Sequence, residues 1–71
     1  MSPEAKRDLQ YRCRRALAAP VPASIRDGNA RSAADYKTAA QACAAYLRDG
    51  KTPDRARLHV LRLEGAQGLL P

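Results

Sequence analysis

Residues 46–54, Tyr46-Leu47-Arg48-Asp49-Gly50-Lys51-Thr52-Pro53-Asp54, read as the end of one helix and the start of the next. Glycine just past a helical run suits the left-handed residue that closes a helix. Proline followed by an acid suits a first turn. The connection is only about three residues long, so the flanking helices are expected to meet in a tight αα corner. Working backwards, Ser32-Ala33-Ala34-Asp35 has the form of a capping box with Asp in place of Glu, which predicts a helix over 32–49. Its inner face is Tyr36, Ala39, Ala40, Cys43 and Leu47, with Tyr46 on the edge. Working forwards, Gly65 closes a helix over 53–64. Ala56, Val60 and Leu63 line one side of it, and Leu58 and Leu61 lie well round from them.

The same punctuation opens the chain. Ser2-Pro3-Glu4 supplies a cap, a proline and a first-turn acid, and Pro20-Val21-Pro22 stops the run. This predicts a helix over 3–18 with Ala5, Leu9, Cys13, Ala16 and Leu17 on one face. Residues 20–31 read as an internal linker that Val21 and Ile25 tack to the core. The expected fold is all-α: a small three-helix domain, 1–71, with helices at about 3–18, 32–49 and 53–64.

Composition bounds what such a domain can do. The chain has 71 residues and a hydrophobic fraction of 45%, yet 15 of those residues are alanine and neither Phe nor Trp is present. A core drawn from eight Leu, three Tyr, two Val, one Ile and one Met is thin. No run approaches a membrane span, and residues 1–8 lack the apolar stretch of a signal peptide, so a cytoplasmic protein without membrane contact is expected. In a reducing compartment Cys13 and Cys43 are expected to be free thiols acting as small core hydrophobes; a bridge between them is the alternative.

Motifs for catalysis are missing from the sequence. His59 has no nucleophile or carboxylate at triad spacing, and no glycine-rich phosphate loop, paired-carboxylate motif or Cys-x-x-Cys occurs. Cys13, Cys43 and His59 are too far apart in sequence for a ligand cluster. The expectation is therefore a non-enzyme with no cofactor, no metal and no small-molecule substrate.

Charge carries more. Thirteen Lys and Arg against seven Asp and Glu leave +6, and ten of the thirteen are arginine, the cation suited to bidentate phosphate or carboxylate contacts. Helix 3–18 carries +3, the segment from Gly50 onward +2, and helix 32–49 is neutral. On the first helix Arg7, Tyr11, Arg14 and Arg15 lie opposite Leu9 and Cys13, and spacings of four set Arg7 and Arg15 beside the Tyr11 ring. An aromatic framed by guanidinium groups can grip a phosphate backbone or an acidic protein. On the third helix Arg55, His59 and Arg62 form an i, i+4, i+7 stripe, with His59 expected to be exposed. Leu58 and Leu61 on this helix, with Leu69 and Leu70 in a tail that ends at Pro71, offer more apolar surface than a small monomer needs and are a candidate homodimer interface.

Tyr46-Leu-Arg-Asp-Gly50-Lys-Thr-Pro53, followed by Ala56, Leu58, Leu61 and Leu63, resembles the pattern in small phage and plasmid repressors of the Cro/lambda-repressor helix-turn-helix type. Gly68-Leu69-Leu70-Pro71 is similar to the end of some short phage-encoded members. The resemblance covers residues 39–71. It implies that residues 39–49 enter the major groove, with Gln41 reading a base and Arg48 and Lys51 on phosphates.

Two functions fit these features. One is a small regulator from a phage or mobile element that binds nucleic acid through arginine-rich helix faces. The other is a protein-interaction module, an inhibitor or adaptor, that docks on an acidic host protein.

Overall fold

The computed structural model describes residues 1–70, and these form four helices: α1 Pro3–Ala18, α2 Ala23–Arg26, α3 Ala30–Asp49 and α4 Pro53–Gln67. No strand occurs among the described residues. The all-helical reading holds, but the count of three does not. Residues 20–31 are not a plain linker: Pro22 fixes an extended entry and residues 23–26 close one helical turn, with Asp27 N–H donating to the Ala23 carbonyl at 2.8 Å.

The helix ends explain two further differences. In α1 the Ser2 hydroxyl accepts from Ala5 N–H at 3.1 Å, and Ala19 is already extended ahead of Pro20. In α3 the cap is Asn29, not Ser32. Its Oδ1 accepts from the Ser32 N–H at 2.8 Å, so Ser32 supplies the capped donor and the helix starts at Ala30. Asn caps as well as Ser, and Ala30 and Arg31 are good helix formers, so the earlier start satisfies the same donors with more helix. Gly50 closes α3 at φ 69°, its N–H donating to the Tyr46 carbonyl at 2.7 Å.

Helix α4 runs through Gly65 and ends at Gln67, with Gly68 left-handed at φ 72°. A glycine inside a helix costs about 1 kcal/mol. The extra turn offsets that cost by placing Gln67, whose side-chain amide donates to the Ala16 carbonyl at 2.8 Å and to the Tyr36 hydroxyl at 2.7 Å. One side chain thereby ties α4 to both other long helices.

The three long helices pack pairwise, α3 against α4 most extensively, and α2 rests on α3. The core takes three residues from each: Leu9, Cys13 and Ala16; Ala39, Cys43 and Tyr46; Ala56, Val60 and Leu63. Tyr46, expected at an edge, is its largest buried side chain at 2% exposure. Leu17, expected inside, is exposed. With so few large side chains, small residues make up much of the core, and the Tyr46 ring is its bulkiest member.

Cys13 and Cys43 are both free and fully buried. Burial pushes the Cys43 thiol up to about 12, with the neighbouring Cys13 adding to the rise. Burial likewise raises Cys13, partly offset by Cys43 and by the Arg12 charge. Neutral thiols packed as small hydrophobes are what this core holds. No helix among the described residues is long and apolar enough to cross a membrane. The Leu69–Leu70 part of the tail is half exposed, and Pro71 lies outside the described residues.

Candidate nucleic-acid interface

The outward face of α1 follows from what its inward face buries. At 100° per residue, burial of Leu9, Cys13 and Ala16 turns Arg7, Tyr11 and Arg14 towards solvent. Tyr11 is 56% exposed. The Arg15 guanidinium carbon stands 5.9 Å from the centroid of its ring, at the outer reach of a cation–π contact. Among the described residues, neither Arg7 nor Arg14 has a carboxylate within ion-pair distance.

Arg15 is held from beneath by Glu64. That carboxylate, on α4, is buried, yet it meets two guanidinium groups from α1. Arg12 presents a fork: Nε donates to Glu64 Oε2 at 3.0 Å and Nη2 to Oε1. Arg15 Nη2 adds a third bond to Oε2 at 3.1 Å. The Arg12 hydrogen bonds, reinforced by both arginine charges, hold the Glu64 carboxyl below its usual range despite burial. Arg12 is raised in return, by the same bonds first. Both oxygens are satisfied and the ion stays charged, as a buried carboxylate requires. The consequence at the surface is a division of labour. Arg12 is spent on the interior, Arg15 is fixed between a carboxylate and an aromatic ring, and Arg7 and Arg14 are free to meet an anion.

Glu64 is a site residue that the sequence reading misses, although its position carries the signal. It lies four residues after Val60 and eight after Ala56, on the arc that the period assigns to the core. An acid there demands a cationic partner, and the arginine-rich helix opposite supplies two.

His59 is a correction. It is not part of an exposed stripe: at 6% exposure it is buried, while Arg55 and Arg62 on either side of it in the sequence are exposed. Burial first, then the Arg62 and Arg55 charges, push its pKa down, so the ring is neutral near pH 7. The hydrophobic arc of α4 is wide enough to take in position 59, which lies next to the Ala56–Leu63 row.

The remaining predicted contacts fall on other faces. Gln41 and Arg48 are exposed on the side of α3 opposite Cys43, and Arg48 bonds to its neighbour Asp49 at 3.3 Å. Lys51 is exposed in the turn before α4. Residues 39–49 are the second half of one continuous helix rather than a separate element. Arg62 lines a shallow hollow with Ile25, Ser32, Asp35 and Tyr36, which places it on the α3 edge of α4, away from the α1 edge where Glu64 sits. Each long helix buries a face against the other two, so their outward faces diverge. The α1 group comes together as one patch; Gln41, Arg48, Arg55 and Arg62 do not join it.

No group of three or more His, Cys, Asp or Glu side chains among the described residues is placed to hold a metal ion. Comparison with family models, with curated proteins and with solved structures finds no match.

Proposed function

We propose that this protein binds nucleic acid through the outward face of α1, in the manner of a small basic regulator. Arg7 and Arg14 contact phosphates, Arg15 supplies a third cation, and the Tyr11 ring packs on sugar or base. The observation that carries this reading is the patch itself: a half-exposed tyrosine under a positioned arginine, between two arginines with no acidic partner. The overall charge of +6 supports it, because a positive field speeds encounter with a polyanion. The patch has cations and an aromatic but few groups that read base edges, which favours contact to the backbone over sequence readout.

Fluorescence anisotropy with a random-sequence duplex from low to physiological salt tests it. Three neutralised phosphates give a log–log salt slope of about −2.7. The double variant Arg7→Ala, Arg14→Ala should weaken binding to all duplexes alike and flatten the slope by about 1.8. It spares Arg12 and Arg15, so the Glu64 anchorage and the fold are kept. Unchanged affinity and slope in that variant would remove α1 as the interface.

A further inference from the structure

A second surface, independent of the α1 patch, lies on α4. After burying Ala56, Val60, Leu63 and Glu64, this helix leaves Leu58 50% exposed and Leu61 42% exposed. Spacings of three and four align Leu58, Leu61 and Gly65 along the outward side, over about 10 Å of helix. Gly65 has no side chain, so the row carries a notch there. The chain then doubles back after Gly68, and Leu70 Cδ1 comes within 3.6 Å of where a Cβ on Gly65 would stand. Leu70, itself 42% exposed, extends the apolar row beyond the notch.

Arginines stand on both rims of this row, and those on the α3 side carry the uncompensated charge. Arg57 flanks it towards α1, where its Nη2 lies 3.4 Å from Met1 Sδ. Arg55 and Arg62 flank it towards α3, both exposed and without a described carboxylate in ion-pair reach. Asp54, the acid at the start of the helix, is already bonded to Arg57 at 2.8 Å.

We propose that the outward face of α4 is a docking surface for an amphipathic helix of another protein, one whose leucine-type anchors are flanked by Glu or Asp. Apolar anchors at i, i+4 and i+7 on that helix would pack along Leu58, Leu61 and Leu70, which covers Gly65. Its acidic flank would meet Arg55 and Arg62 on the α3 rim, while Arg57 on the other rim is already paired with Asp54. Charge complementarity selects this occupant over a second copy of the chain. Two copies packed through this face would bring together two surfaces of net positive charge, because Arg55, Arg57 and Arg62 outnumber Asp54 on each. A lipid surface is a poorer fit, because the row is two turns long, has no aromatic anchor and sits on a helix fixed in the core.

The test uses a synthetic helical peptide with leucines at i, i+4, i+7 and i+11 and glutamates on both flanks. Two control peptides carry lysine in place of glutamate and serine in place of leucine. Binding to the full chain is followed by anisotropy, and the site is mapped by amide shift changes in labelled protein. The expected result is micromolar binding of the acidic leucine peptide alone, with shifts centred on residues 55–65 and Leu70. The variants Leu58→Ser, Leu61→Ser and Arg55→Ala, Arg62→Ala should each weaken it about tenfold with unchanged circular dichroism. Four results would overturn the proposal: equal binding of the serine peptide, shifts confined to α1, a concentration-dependent dimer that Leu61→Ser dissolves, or anionic-vesicle binding that Leu61→Ser abolishes. Because the wild-type shift map stands without any variant, and α1 is not involved, its failure is separate from failure of nucleic-acid binding.

Discussion

Glu64 and Arg12 are not equivalent partners, although they share the same bonds. The Glu64 side chain is 2% exposed, whereas Arg12 and Arg15 are 25% and 42% exposed. Removing the carboxylate lets both guanidinium groups turn to water; removing Arg12 strands a buried anion with one remaining donor. The expected order follows. Arg12→Ala should destabilise by about 3 kcal/mol and Glu64→Gln by about 2 kcal/mol. Urea titration of both variants measures this, and an inverted order would mean that desolvation of the arginines, not of the acid, governs the pair. At this scale the sequence was legible for what lies outward and less so for what lies inward. Arg7, Tyr11 and Arg14 could be placed on the exposed side of α1 by counting. That Arg12 turns inward could not, because the decision depends on an acid 52 residues away. His59 failed for a related reason: a polar residue at the margin of an apolar arc is assigned by how closely the next helix approaches, and no local pattern encodes that distance.

Element boundaries were set by competition between neighbouring capping residues. Helix α1 was fully legible because Ser2, Pro3 and the prolines after Ala19 leave no alternative register. For α3 the sequence held two acceptable caps three residues apart, Asn29 and Ser32, and the chain takes the one that gains a turn of helix. Asn29→Ala should therefore cost about 1 kcal/mol of stability, while Ser32→Ala changes it by no more than a few tenths. Thermal unfolding by circular dichroism separates the two, and a larger loss at Ser32 would restore the capping box. Helix α4 illustrates the opposite case. Gly65 is a proper stop signal locally, and it is overridden by Gln67, whose bonds to Ala16 and Tyr36 exist only in the folded molecule. The same extension brings Leu70 back over Gly65, so the α4 surface row depends on a boundary that sequence alone puts three residues too early.

For the molecule as a whole, four shifted groups set how stability depends on pH. His59 is held below its ordinary 6.5, so the unfolded chain takes up its proton first and stability falls as pH drops below about 6.5. Glu64 is held below 4.5, so its contribution is lost in turn as pH falls below that value. Cys13 and Cys43 are raised above 9.0, so the folded state keeps protons the unfolded chain gives up, and stability falls again above about pH 9. Urea midpoints should be highest between about pH 6.5 and 9 and decline on both sides. A midpoint unchanged between pH 7.5 and 5.5 would show His59 to be hydrated in the native protein. The bond between Arg12 and Glu64 also has a meaning in time. At about 5–20 residues per second, synthesis takes roughly 3–10 s to travel from the arginine to its carboxylate. During that interval Leu9, Cys13 and Ala16 have no α4 to cover them, and the nascent α1 displays a thiol that the finished protein seals away. Cys13 is thus most open to reaction before α4 covers it, and afterwards only when the fold opens.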